Sequence, residues 1–187
     1  MRRFFIVACA AVVVMAAAPP VSARAPVVND IGYDTQWGLH IIEAERAWTR
    51  SVGRDVVVAI VDTGVDDEHP DLRGRVLVGY DFADDDEDAD DDNGHGTLIA
   101  GIVAARTGNR IGVASVAPQA KILPVRVLGK KGSGSSRAVA RGIRFAVAEG
   151  ADVINLSLAQ ESGLEASGSI VPTNVLSDPS VDEAIRD

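Results

Sequence analysis

The chain has 187 residues, a net charge of −9 and a single cysteine. A chain of this length is expected to form one domain. Nine acidic residues fall between Asp81 and Asp92, so one segment accounts for the whole charge imbalance. Such a segment repels nucleic acid and attracts hard cations, and the chain has no basic cluster suited to phosphate. The composition therefore excludes a nucleic-acid-binding protein.

The first 25 residues have the pattern of a secretory signal peptide. Two arginines precede an uncharged run over residues 4–18, and small residues follow at Ala23 and Ala25. A positive start, an apolar core and a small-x-small exit are typical of such a signal. We therefore expect residues 26–187 to form a secreted domain with no membrane segment. Cys9 lies within the signal, so this domain has no thiol and no disulfide.

Runs of β-branched and aliphatic residues alternate with helical patterns along the domain. The predicted strands are 56–61, 76–80, 121–128 and 151–158, and the predicted helices are 44–49, 97–105 and 135–149. This alternation predicts an α/β fold of three layers, with a doubly wound, mostly parallel sheet and helices on both faces.

Three of these segments carry more specific predictions. The unbroken apolar run at 56–61 indicates a strand buried on both faces. Pro124 places the third strand at a sheet edge or at a bulge, because proline cannot donate to a ladder. The helix at 97–105 is apolar on all sides, which predicts that it is buried.

The last residues predict the start of another helix. Ser180 and Glu183 have the spacing of a capping box, and the chain ends seven residues after Ser180. A domain rarely ends two turns after a helix cap, so we expect the chain to be an N-terminal fragment of a larger domain. The alternative is a short, frayed terminal helix.

Two polar residues stand at positions suited to catalysis. Asp62 ends the first strand, and reactive groups collect at the carboxyl ends of strands in open α/β sheets. His95 is expected at a helix N-terminus, where the helix dipole disfavours imidazolium and keeps the ring able to act as a base. Alone, each residue has an ordinary structural explanation. Together, and in this order, they indicate two parts of an Asp-His-Ser relay.

The segments around these residues resemble the subtilisin-like serine endopeptidases, or subtilases. The aspartate motif of that family is similar to residues 58–66 and 69–72, and its histidine motif to residues 93–101. Further similarity covers 112–118, 122–128 and 150–158, so the resemblance extends from about Gln36 to Leu158. The resemblance implies a truncated subtilisin-like fold.

The resemblance also implies roles for individual residues. Asp62 would orient the imidazole of His95, which would take a proton from a serine and return it to the leaving amine. An extended polypeptide would bind between two segments by β-addition. These substrate-binding residues are Gly132, Ser133, Gly134, Ser157 and Leu158.

The chain departs from the family in three places. No Gly-Thr-Ser sequence occurs, so no serine of the chain is assigned as the nucleophile, and the oxyanion-hole asparagine is also absent. Leu98 stands where the family often has a second histidine. Ala159 and Gln160 stand where it usually has two glycines that floor the pocket for the P1 side chain, which predicts an altered specificity.

The resemblance implies calcium as a cofactor. Ca²⁺ prefers six to eight oxygen ligands, drawn from carboxylates and backbone carbonyls. The implied ligands are Asp30, Asp71, Asn109, Ile111 and Val113. The acidic segment is a possible second site, equally well explained as a solvated loop. Its candidate ligands are Asp81, Asp86, Asp88 and Asp92.

The sequence thus predicts a secreted, monomeric serine endopeptidase that acts on polypeptides through Asp62 and His95 and uses no organic cofactor. The 187 residues alone are expected to be inactive. Two alternatives remain: a non-catalytic subtilase-like module that binds calcium or peptide, and a metal-dependent hydrolase that uses the acidic segment. We expect a non-catalytic role for His40, a turn at His69, and packing roles for Trp37 and Trp48.

Overall fold

A computed structural model describes residues 25–158 and 179–186 of the chain. Residues 1–24, which hold nearly all of the predicted signal, and residues 159–178 and 187 lie outside the described part. The α-helices are α1 (Trp37–Ile41), α2 (Ala44–Trp48), α3 (His95–Ala104), α4 (Ser136–Ala148) and α5 (Pro179–Arg186). The strands are β1 (Val57–Asp62), β2 (Tyr80–Asp81), β3 (Lys121–Arg126) and β4 (Val153–Asn155), and a 3₁₀ turn covers Tyr33–Thr35.

The four strands form one parallel sheet in the order β2-β3-β1-β4. Strand β1 is central and buried from Val58 to Asp62, as its unbroken apolar run predicts. Its side chains alternate between the two faces. Ala59 and Val61 pack with α4 and α5, whereas Val58 and Ile60 pack with α3. Helices therefore cover both faces, and the predicted fold class is confirmed.

Strand β3 lies between β2 and β1, so the sheet edge, one of the two placements predicted for Pro124, was wrong. The amides of Ile122 and Pro124 face the β2 side, since Ile122 N donates to Arg75 O. On that side the chain pairs only at Val76 and again from Tyr80. The ladder is therefore interrupted opposite the proline, and its missing N–H costs no hydrogen bond. An interior strand tolerates proline here because its neighbour leaves a gap.

Several element boundaries also differ from the prediction. The strand predicted at 76–80 is reduced to a bridge at Val76 and the short β2, and the strand predicted at 151–158 is limited to β4. Helix α5 begins at Pro179, so Ser180 lies in its first turn and not before it. Helix α4 begins and ends close to its prediction, because Ser135 Oγ accepts from Ala138 N and Gly150 follows with a φ of +75°.

Helix α3 is only half buried, although its sequence predicts burial on all sides. Ala100 and Ala104 are fully buried, whereas Leu98 is 70% and Ile102 is 54% exposed. These two apolar residues stand one turn apart on one face, so the face of α3 turned from the sheet is apolar and open to solvent.

The N-terminal arm, residues 25–52, packs around a small core of its own that includes Leu39, Trp48 and Val52. Trp48 is 1% exposed and donates from Nε1 to Val116 O, so its predicted packing role is confirmed. Trp37 is 73% exposed, and the same prediction was wrong for it. Within the described residues, no helix is both long and apolar enough to cross a membrane.

Candidate active site

Asp62 is fixed in place by the end of the parallel ladder. It is the last residue of β1, and its backbone oxygen accepts from the amides of Val127 and Leu128 just beyond β3. Its side chain is fully buried, and Oδ1 accepts a hydrogen bond from Thr63 N at 2.8 Å. The sheet thus holds a carboxylate with one orientation at the carboxyl edge of the strands.

His95 is the first residue of α3, and its imidazole contacts this carboxylate. Nδ1 lies 2.7 Å from Asp62 Oδ1. An ionised carboxylate can only accept, so Nδ1 carries the proton and donates it, and Nε2 of the neutral ring is left as an acceptor. The side chain of His95 is 48% exposed, so this nitrogen is available at the surface. The arrangement can accept a proton from a group brought to the ring.

Glycines on either side of His95 allow the close approach of α3 to β1. Gly94 has a φ of +102°, a left-handed conformation that favours glycine. A Cβ at Gly96 would lie 2.1 Å from Gly64 O and 3.3 Å from the Asp62 Cβ. Only a residue without a side chain fits here, and this fit brings the histidine within reach of the aspartate.

A cleft of about 520 Å³ opens beside His95. The five substrate-binding residues predicted from the sequence all line it: Gly132, Ser133, Gly134, Ser157 and Leu158. The segment with Gly132 is a turn, closed by a bond from Gly132 N to Gly129 O, and is not itself a strand. Sequence reasoning missed Lys131 and Val139, which also line the cleft. Lys131 directly precedes the predicted substrate-binding segment, which was the available signal, whereas Val139 lies within α4.

The residues predicted to bind calcium come together from three segments. Asp30 and Asp71 are 5% and 3% exposed. Gly108 N donates to both oxygens of Asp30, while Asn109 Nδ2 and Val113 N donate to Asp71. Asn109 Oδ1 accepts from Ile111 N. The two buried carboxylates are hard oxygen donors of the kind that Ca²⁺ prefers, whereas Asn109 presents Nδ2, and not Oδ1, to Asp71.

The acidic segment is organised differently from a metal site. Asp81 is fully buried and binds Arg126 Nη1 at 2.7 Å, and Asp92 lies 3.5 Å from Nη2 of the same side chain. Asp86 and Asp88 accept hydrogen bonds from nearby backbone amides. Within the part of the chain that the structure describes, no three His, Cys, Asp or Glu residues are grouped so as to hold a metal. The four candidate ligands are thus not brought together.

Asp91 is the residue of this segment that bonds both Thr63 and the start of α3, and no local sequence pattern singles it out. Burial acts to raise the pKa of Asp91, but bonds from the Thr97 hydroxyl and from the amides of Gly94, Thr97 and Asn93 outweigh it. The pKa therefore lies below its usual value, and the group is ionised at neutral pH.

Comparison with known proteins gives the family. The model of the subtilase family matches residues 53–185. The chain is 52% identical to thermitase of Thermoactinomyces vulgaris over 123 residues, which cover 66% of this chain and 44% of that protein. It is 45% identical to the major intracellular serine protease of Bacillus subtilis over 127 residues, covering 65% of this chain and 40% of that protein.

A solved structure agrees with the sequence relatives. A protease from Pseudoalteromonas arctica superposes with a TM-score of 0.69 at 32% identity, covering 87% of this chain and 55% of that one. The family match covers more than half of the chain, so the protein belongs to the subtilase family. The chain spans less than half the length of the two curated relatives above.

Proposed function

We propose that the chain supplies the aspartate and histidine of a secreted serine endopeptidase. The observation that carries this proposal is the 2.7 Å hydrogen bond between His95 Nδ1 and Asp62 Oδ1, beside an open cleft. The membership of the subtilase family supports the same reaction class. The substrate is a polypeptide bound in an extended conformation along the cleft.

His95 acts as base and then as acid. Its Nε2 accepts the proton of a serine hydroxyl as that oxygen attacks the peptide carbonyl, and then gives the proton to the leaving amine. Asp62 holds the ring with Nε2 free and stabilises the imidazolium that forms. Water repeats these steps to release the acyl group. The serine is not assigned within these 187 residues, which contain no Gly-Thr-Ser.

The test joins residues 26–187 to the serine-bearing C-terminal part of thermitase and measures peptide hydrolysis. We expect hydrolysis by the joined protein and none by the 187-residue chain, because a base without a nucleophile and an oxyanion hole leaves the reaction nearly uncatalysed. His95→Ala should remove nearly all activity. His40→Ala is the matched control, because His40 is exposed and its ring packs edge-on against Tyr33.

Three results would contradict the proposal. Equal activity of the His95→Ala and His40→Ala variants would remove His95 from the reaction. Robust hydrolysis by the 187-residue chain, blocked by a serine-directed acylating inhibitor, would place the nucleophile among its own serines. A joined protein that folds and binds peptide without cleaving it would favour a non-catalytic binding module instead.

Export is the second part of the proposal, and it rests on the signal pattern of residues 1–25. Relatives include an intracellular and a cell wall-associated protease, so family membership alone does not assign a compartment. We expect cleavage after Ala23 or Ala25 in a secreting host. N-terminal sequencing of protein from the medium checks this, and a mature chain that begins at Met1 would contradict it.

Structural calcium is the third part. The two buried carboxylates of Asp30 and Asp71, which come from distant segments, support it. Asn109 and the backbone of Ile111 and Val113 would complete the ligand set. Bound calcium would hold the arm against the core and supply no reacting group. An ion bound between these two buried carboxylates would be held by the folded state alone and would therefore stabilise it. It would join segments that no disulfide links.

A further inference from the structure

Asp91 lies at the centre of a hydrogen-bond network that joins the two catalytic segments. Its Oδ1 accepts from Thr63 Oγ1 at 2.8 Å, from Asn93 N at 3.0 Å and from Gly94 N at 2.8 Å. Its Oδ2 accepts from Thr97 N at 2.9 Å and from Thr97 Oγ1 at 2.5 Å. Five donors exceed the roughly four lone-pair positions of a carboxylate, so no acceptor position is left unused.

Thr63 connects this carboxylate to the strand that ends in Asp62. It directly follows Asp62, is 1% exposed, and uses its only hydroxyl proton to bond Asp91. The same oxygen accepts from Gly96 N at 3.0 Å. The network thus fixes the amides on both sides of His95, at Gly94 and at Gly96, relative to the end of β1.

No hydrogen bond joins Asp91 to either reacting side chain. Its hydrogen bonds are to Thr63, to the amides of Asn93 and Gly94 just before α3, and to Thr97 in its first turn. Asp91 is not among the described residues that line the cleft. Any effect on the reaction must therefore pass through the positions of Asp62 and His95. The ordinary helix-capping explanation covers the bonds to Gly94 and Thr97 but leaves the bond to Thr63 unexplained.

The loop that carries Asp91 is held to the same strand ends. Val65 N donates to Ala89 O at 3.0 Å, and Arg126, at the end of β3, contacts Asp81 and Asp92. Gly64 packs so closely on this loop that a Cβ there would lie 2.5 Å from Asp90 O. The carboxylate is therefore presented by a braced loop.

We propose that Asp91 is a positioning residue that sets the distance and angle between Asp62 and His95 through Thr63 and the first turn of α3. This inference rests on the proposed function for its meaning in catalysis. Its geometry can be tested without any hydrolysis.

Asp91→Asn is the informative change, because the amide keeps the shape of the carboxylate but presents two hydrogens. One side of the amide can still accept, and the other faces the Thr97 N–H, which is also a donor. We expect α3 to shift at its first turn and the His95–Asp62 bond to lengthen. Asp90→Asn is the matched control, because Asp90 is adjacent to Asp91 and exposed, and the substitution removes the same charge.

The first readout is the imidazole itself, observed by NMR in the ¹⁵N-labelled 187-residue chain. A histidine Nδ1–H bound to a carboxylate gives a downfield, slowly exchanging proton, assigned here by its loss in His95→Ala. We expect this signal in the wild type and in Asp90→Asn, and its loss or broadening in Asp91→Asn. An unchanged signal in Asp91→Asn overturns the inference, as does its absence from the folded wild type.

Thr63→Val keeps the test decisive if Asp91→Asn fails to fold, which circular dichroism would reveal. It removes the hydroxyl that links Asp91 to Gly96 while nearly preserving volume, and it should weaken the same signal. If both single variants fold, the double variant should be no worse than either one, because both changes break one network. Additive effects, or an intact signal in Thr63→Val, contradict the proposed link.

The second readout is hydrolysis by the protein joined to the serine-bearing part. Asp91→Asn should lower kcat by up to about 100-fold, as expected for a misplaced catalytic group, with little change in KM. Asp90→Asn should leave both constants unchanged. If Asp91→Asn lowers the stability of the protein but leaves kcat unchanged, Asp91 has a structural role and does not position the catalytic residues. If the unaltered joined protein is inactive, the proposed function fails, and the NMR result still decides the role of Asp91.

Discussion

Gly96 is the residue at which the relay depends on a missing side chain. It stands next to His95, and a Cβ there would approach Gly64 O to 2.1 Å, far inside van der Waals contact. Neither partner can yield easily, because both are backbone groups in segments that also hold Asp62 and His95. A side chain at Gly96 would therefore displace these segments and change the distance between His95 and Asp62.

Replacing Gly96 by alanine can be compared with the same replacement at Gly101, in the same helix. Gly96→Ala should destabilise the domain by about 1–3 kcal/mol, as overpacking does, and should push His95 from Asp62. Gly101 has nothing within 4 Å of its ideal Cβ, so Gly101→Ala should stabilise α3 by about 0.5–1 kcal/mol. Urea denaturation of both variants measures the change in the free energy of unfolding. Similar effects of the two changes would show that α3 packs less closely than described.

The sequence predicts the positions of Asp62 and His95 well, because each follows from a local pattern. An apolar run that ends in an acid marks a buried strand end, and the glycines around His95 mark a constrained helix start. Asp91 and Arg126 could not be found this way. Both are single charges in a chain rich in charge, and their roles come from contacts between segments that the sequence keeps apart.

At the scale of elements, local signals predict helix ends better than strand ends. Helix α4 matches its prediction because Ser135 and Gly150 are themselves the start and stop signals. Strands 76–80 and 151–158 are shorter than their apolar runs, since strand length depends on which neighbour is available to pair. Pro124 shows the same dependence, because its tolerance in β3 is decided by a gap on the β2 side.

Burial of a helix face is also decided outside the helix. The composition of α3 predicts burial all round, yet Leu98 and Ile102 are exposed and Ala100 and Ala104 are not. Ala100 and Ala104 face the sheet, and Ile99 and Val103 pack partly buried against the same core. Leu98 and Ile102 face away from it. A pattern without polar residues carries no information about which side meets the sheet.

At the scale of the whole molecule, the arm is tied to the core at several points. Gly32 N donates to Gly112 O, and the Gln36 side chain exchanges two hydrogen bonds with the backbone of Ala114. Asp30 is bound by the amides of Gly108 and Asn109. The proposed calcium would act at this junction, so its removal should be felt by the domain as a unit.

Chelation therefore tests the proposed ion through global stability. Calcium at about 100 times its Kd would add roughly 2.7 kcal/mol, so a chelator should lower Tm. Asp71→Ala should lower Tm by itself, since Asn109 and Val113 lose their acceptor, and should also blunt the response to chelator. Asp67→Ala, an exposed acid in the same loop, should respond like the wild type. A Tm indifferent to chelator in the wild type rules out the clip.

The order of the strands has a consequence for how the molecule is made. β1 lies between β3 and β4, and the bond from Val57 N to Asp152 spans 95 residues. The central strand therefore leaves the ribosome long before either neighbour exists. Closing such long loops is slow compared with forming helices, so the nascent chain stays open to proteases and to association for longer than a helical protein would. The pocket around Asp62, which needs the amides beyond β3, is a late product of that process.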